Sequence, residues 1–218
     1  MPRKTLSEAL FEKFCAANSL AWQRVRESAE PTPDYRVTID TADVYFEVKE
    51  IVHDQAFSGV LSSRTVGDHV RAKINEARNQ VKAACSNGWP TVLLVYNKID
   101  PLQCFGTEQH DFLSAMYGEL TVTLSKQSRQ VVHSFYGRNA SFRDGKNESF
   151  SAVGQLRSEG SWATSVQVHI YENVYAKVPL RYESLPACIT FNRVSLDFGG
   201  AAEPSEQRGT NKKGKETE

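Results

Sequence analysis

The stretch Pro33-Asp34-Tyr35-Arg36-Val37-Thr38-Ile39-Asp40-Thr41-Ala42-Asp43-Val44-Tyr45-Phe46-Glu47-Val48-Lys49-Glu50-Ile51 decides how this chain is read. Residues 34–39 and 44–51 are rich in β-branched and aromatic side chains, and the polar Asp40-Thr41-Ala42-Asp43 between them is a turn, so two neighbouring strands are predicted. Alternation in the second strand sends Tyr45, Glu47 and Lys49 to one side of the sheet and Phe46 and Val48 to the other. One strand face then carries both a carboxylate and an amine, which is costly in a buried place unless a metal or a substrate compensates it. Asp34 and Glu47 together, with Lys49 beside them, have the composition of a divalent-metal site with a cationic helper, as phosphodiester hydrolysis requires. The plainer alternative is that Glu47 and Lys49 are an ion pair on a solvated strand face.

Working outward, residues 6–19 have helical periodicity. Leu6, Leu10, Phe14 and Ala17 form one stripe with Phe11 beside it, and Glu8 and Glu12 lie one turn apart on its border. Thr5 or Ser7 is the expected N-cap. A short strand over 21–25 follows, then Glu30-Pro31-Thr32-Pro33, which cannot be helical. After residue 51, a polar loop with Gly59, Ser62 and Ser63 leads to a helix over 67–85, whose apolar stripe is Val70, Ile74, Ala77, Val81 and Ala84. Gly88 and Pro90 end it, and the unbroken apolar run 91–96 is the mark of a buried central strand. Further on, 111–117 reads as a short helix, 120–124, 131–135, 166–171 and 189–194 as strands, and 137–148 as a polar loop. The composition predicts one domain over 1–198 and a disordered tail over 199–218.

The whole chain has 218 residues, of which 40% are hydrophobic, enough for one sizeable core. Its 26 basic and 26 acidic residues cancel, so any contact with a polyanion must come from a local patch. There is no run approaching the roughly 18 apolar residues of a membrane span and no apolar segment of a secretory signal at the N-terminus, and the expectation is a cytoplasmic protein without a membrane partner. Cys15, Cys85, Cys104 and Cys188 lack zinc-site spacing and are expected as reduced thiols, mostly in the core. His53, His69, His110, His133 and His169 form no metal-binding pair, and only His110, in Glu108-Gln109-His110-Asp111, stands near other candidate ligands.

A helix bearing a glutamate, a strand opening on Pro33-Asp34, a strand carrying Glu47-Val48-Lys49, a helix and a buried strand together resemble the PD-(D/E)XK nuclease superfamily. The likeness spans roughly residues 5–97. It implies an α/β protein with a restriction-endonuclease-like αβββαβ core, a mixed central sheet flanked by helices and C-terminal strand additions. It also implies that Asp34 and Glu47, with the Val48 carbonyl, bind Mg²⁺, for which Mn²⁺ would substitute. Lys49 would orient or deprotonate the attacking water, and Glu12, or Glu8 in its place, would hold an outer-shell water or a second metal. The implied activity is a Mg²⁺-dependent nuclease, first of all a DNA endonuclease; a catalytically inactive nucleic-acid- or protein-binding member of the fold is the alternative. A homodimer is compatible with either.

The second helix adds Gln80, which points the same way as Lys73 and is the candidate polar residue facing the site. Lys73, Arg71, Arg78 and Lys82 are candidates for phosphate contact, although a solvated charged face, with Glu76 pairing to Lys73, explains them equally. The loop 136–150 mixes Arg138, Arg143 and Lys146 with Phe142 and Phe150, which suits a nucleic-acid strand as well as it suits a hairpin with two buried rings. Asn97-Lys98-Ile99-Asp100 copies a guanine-reading motif of GTPases, and Asp197-Phe198-Gly199-Gly200 a second. No phosphate-cradling loop accompanies them and their order is reversed, so the first is expected to be a turn that ends a strand.

Overall fold

The computed structural model describes residues 4–26, 31–52, 65–100, 105–158 and 165–196. The expected tail, the loop with Gly59, Ser62 and Ser63, Cys104, His53 and the Asp197-Phe198-Gly199-Gly200 motif lie outside these residues. The chain begins with α1 (Leu6–Ala17), β1 (Ala21–Arg24), β2 (Tyr35–Ile39), β3 (Ala42–Ile51), α2 (Asp68–Ser86) and β4 (Thr91–Asn97). There follow α3 (Gln109–Tyr117), β5 (Leu120–Leu124), β6 (Val131–Tyr136), β7 (Ala152–Ser158), β8 (Val166–Glu172) and β9 (Ile189–Asn192). The protein is thus α/β, with three helices and a mixed seven-stranded sheet among the described residues.

That sheet has the order β1-β2-β3-β4-β7-β8-β9. β1, β2 and β3 form an antiparallel meander, β4 joins β3 in parallel after the α2 crossover, and β7 lies parallel to β4 on its far side. β8 is antiparallel to β7 and β9 parallel to β8. Every residue of β4 is buried, because helices cover both faces of the sheet at its centre.

α1 starts at Thr5, whose hydroxyl accepts from the Glu8 amide while the Glu8 carboxylate accepts from the Thr5 amide. Its buried stripe, Leu10, Phe11, Phe14 and Cys15, packs against Tyr35, Phe46 and Val48. The Phe11 ring stands 5.1 Å from both Tyr35 and Phe46, and burying one such ring is worth roughly 1.5–3 kcal/mol. On the opposite face Val70, Ile74, Ala77 and Val81 of α2 pack with Ile51, Leu93 and Val95. Phe46 and Val48 therefore point toward α1, whereas Ile51, and with it Tyr45, Glu47 and Lys49, lies on the α2 side.

The C-terminal half departs from the sequence reading in two ways. β7 sits between β4 and β8 at the middle of the sheet, yet residues 152–158 carry no strand signal, being Ala-Val-Gly-Gln-Leu-Arg-Ser. β5 and β6 do not extend the main sheet but form a separate hairpin, with Leu120, Val122, Leu124 and Val131 exposed. Asn97 does end β4 in a turn: its Oδ1 accepts from the amides of Ile99 and Asp100. Cys15 and Cys85 are buried thiols and Cys188 is half-buried. No helix among the described residues is long and apolar enough to cross a membrane.

Candidate active site

Asp34 directly precedes β2. Extending the Tyr35–Phe46 pairing by one residue sets Asp34 opposite Glu47, on the same sheet face. Two backbone contacts fix it there: the Asp34 carbonyl accepts from the Val25 amide at 2.9 Å, and its Oδ2 accepts from the Val48 amide at 2.8 Å. Pro33, next in this register, has no N–H to donate to the Val48 carbonyl, and the β2–β3 ladder ends before it, the Val48 amide donating to the Asp34 side chain instead. The Pro-Asp pair thus has a physical reason: Pro stops the ladder and Asp fills the gap.

Glu47 is 1% exposed. Its Oε1 lies 2.6 Å from the Lys49 ammonium, which is partly exposed, while its Oε2 is buried and has no hydrogen-bond partner among the described residues. Burial raises the Glu47 carboxyl to about 7; the charge of Asp34 pushes the same way, and Lys49 only partly offsets them. Asp34 is also raised by burial, against the pull of the Val48 amide and of Lys49. For Lys49 burial works downward, but Glu47 beside it outweighs burial and leaves the amine above its ordinary value. The plain ion-pair alternative is half right: the pair exists, but on a buried face.

Gln80 Oε1 is the other buried side-chain oxygen without a partner among the described residues. It lies on the α2 edge that carries Lys73 and Glu76, which pair at 2.9 Å, and the Glu76 charge acts on Lys49. Glu76 is the acidic neighbour that the sequence reading gives only as a partner of Lys73. Its spacing from Lys73 and Gln80, three and four residues, places all three on one row.

The other candidates are placed as follows. Glu12 lies on the α1 side of the sheet, where it accepts from the Tyr35 hydroxyl at 2.9 Å and pairs with Lys4. It is therefore across the sheet from Glu47, and of these two glutamates it is Glu8 whose charge, with those of Lys49 and Arg24, acts on Asp34. Glu8 itself is nearly buried and committed to Thr5 and, at 2.6 Å, to Arg24. Arg71 is turned inward, donating to the carbonyls of Asn139, Val66 and Ser114 and pairing with Asp68. Arg78 and Lys82 line a polar cleft of about 540 Å³ with Asn75, Asn79, Asn147 and Lys177, on the other edge of α2. Arg138 and Arg143 line another of about 540 Å³. Phe142 and Phe150 are both buried, with ring centroids 5.5 Å apart, so neither ring can stack on a base. His110 is exposed beside Glu108, at 3.2 Å, while the neighbouring Asp111 is buried and accepts from the Gly67 amide, joining α3 to the start of α2.

Among the described residues no three His, Cys, Asp or Glu side chains converge as a metal-binding group. The oxygen set at hand is two carboxylates, one with an orphaned buried oxygen, and the Val48 carbonyl. That set fits a Mg²⁺-like ion, which keeps several waters and takes only one or two carboxylates from a protein. Comparison of the chain with protein-family models, with curated proteins and with solved structures gives no match.

Proposed function

We propose that this protein is a divalent-metal-dependent nuclease, acting on DNA as an endonuclease, with a restriction-endonuclease-like core. The order α1-β1-β2-β3-α2-β4, with an antiparallel meander and a parallel crossover, supports the fold reading. The observation that carries the functional reading is Glu47: a carboxyl 1% exposed, across from Asp34, with one oxygen on Lys49 and the other on nothing among the described residues. A fold has no use for two neighbouring carboxyls raised by burial unless something positive or reactive joins them.

Asp34 and Glu47, with the Val48 carbonyl, would hold Mg²⁺ or Mn²⁺, which supplies Lewis-acid polarisation of a phosphoryl oxygen and acidifies water. Lys49, held by Glu47, places its ammonium where it can orient the attacking water and offset charge on the pentavalent phosphorane. Gln80 Oε1, which lacks a donor among the described residues, can accept a hydrogen bond from that water and fix its lone pairs. The Val48 amide keeps Asp34 from swinging out of the site.

The completed Glu47–Lys49 pair also supports a second reading, an inactive binding member of the fold in which the lysine takes the place of the metal. Incubating the purified protein with plasmid and with single-stranded DNA, in Mg²⁺, Mn²⁺ or EDTA, separates the two. Metal-dependent cleavage lost in Asp34→Ala and Glu47→Ala supports the nuclease; binding without cleavage supports the second reading.

A further inference from the structure

A cleft of about 530 Å³ opens next to this site, and two residues tie it there. Pro33 in its wall is the neighbour of Asp34, and Tyr45 in its floor is two residues before Glu47 on the same strand face, roughly 7 Å away. The Tyr45 ring is buried and stacks on Trp89, with centroids 4.5 Å apart and planes 12° from parallel. Trp89 remains 40% exposed, so its indole offers surface to a further flat group.

The opposite wall is cationic. Arg26 and Arg36 line it, Arg36 on the same face as its cross-strand partner Tyr45, and none of the described lining residues is acidic; Arg24 also borders the cleft, but as the cross-strand partner of Tyr35 it turns its guanidinium to Glu8 on the α1 side. Arg36 is held in place by Gln23 at 2.8 Å with Asp43 at 3.6 Å. Beside Trp89, by contrast, the wall is the C-terminal end of α2, with Ala83, Ser86 and Asn87. That end of a helix carries partial negative charge and disfavours a phosphate. The cleft is therefore polarised, with an aromatic platform on one side and guanidinium groups on the other.

From this polarity we infer that the cleft binds one unpaired nucleotide of the substrate, its base on Trp89 and its phosphate toward the arginine wall. The inference rests on the nuclease reading and deepens it. A base can reach an indole platform only when it is out of a duplex, so the enzyme's substrate is single-stranded or frayed DNA at the cutting point. Base stacking tolerates any base, and the site therefore selects strandedness rather than sequence.

The test is binding of a fluorescein-labelled twelve-residue oligothymidylate, and of a duplex of equal length, by anisotropy in EDTA, where no cleavage interferes. The parent should prefer the single strand. Trp89→Ala should weaken that binding by roughly 5- to 150-fold, the range for loss of one base stack, Trp89→Phe should restore most of it, and duplex binding should change little. An unchanged melting temperature checks that Trp89→Ala is folded; if it is not, Trp89→Phe against Trp89→Leu makes the same comparison with the volume retained. Equal single-strand binding by parent and stack-deficient variant, in a protein that cleaves DNA with Mg²⁺, overturns the inference and leaves the nuclease reading intact. A parent that neither binds nor cleaves DNA overturns both.

Discussion

Replacing Glu47 by Gln removes one ionisable group from the most buried point of the site, and its effect should depend on pH. The native protein keeps the Glu47 proton up to about pH 7, while the unfolded chain releases it near 4.5. Between those values the native state binds more protons than the unfolded state, so this carboxyl makes stability fall as pH rises, and above about 7 its effect is constant. Moving a carboxyl from 4.5 to about 7 corresponds to about 3 kcal/mol, at roughly 1.4 kcal/mol per pH unit. Glutamine has the same shape and cannot ionise. Urea denaturation in EDTA should therefore show Glu47→Gln gaining about 3 kcal/mol on the parent between about pH 4 and pH 8. Saturating Mg²⁺ at about pH 8 should then stabilise the parent, by about 2.7 kcal/mol at a hundredfold its Kd, and the variant much less. A stability gap that does not change with pH would refute the claim that burial of a carboxyl which Lys49 only partly offsets governs this site.

Lys49→Ala removes the ammonium but neither carboxylate, so single-turnover cleavage should fall roughly a hundredfold or more while substrate affinity changes little. Arg71→Ala should lower stability by roughly 1–3 kcal/mol, since its bonds to three backbone carbonyls and to Asp68 would be lost, and leave the salt dependence of DNA binding unaltered. Arg78→Ala or Lys82→Ala should do the converse, reducing the slope of log affinity against log salt by about 0.9 for each phosphate that the side chain had neutralised. Gly154→Ala should separate β7 from β8, because a Cβ there would sit 2.2 Å from the His169 carbonyl oxygen; a fall in melting temperature, from a cost of about 1–3 kcal/mol or more, checks it.

The N-terminal half was legible because its signals are local. The α1 stripe, the turn at Asp40, the alternation in β3 and the apolar run of β4 each follow from packing on a covered sheet, and the observed bounds differ from the expected ones by a few residues at most. β7 was not legible, since its burial comes from β4 and β8, which lie far off in sequence. Its Gly154 serves the close approach of the His169 carbonyl rather than any strand preference. In the site, periodicity put Glu47 and Lys49 on one face, and the register extended to Asp34 agrees. Two things lay beyond it: that Glu12 faces the α1 side, a matter of how α1 lies on the sheet, and that Arg71 is spent on loop carbonyls. The Tyr45–Trp89 stack joins residues forty-four apart, and no pattern in the sequence links them.

Supercoiled plasmid and single-stranded DNA incubated with purified protein at about pH 8, with Mg²⁺ or with EDTA, test the central claim most directly. Phosphodiester cleavage is expected in Mg²⁺, none in EDTA, and none in folded Asp34→Ala or Glu47→Ala protein. Cleavage that persists in either variant, or intact DNA with Mg²⁺ and Mn²⁺ alike, would contradict it.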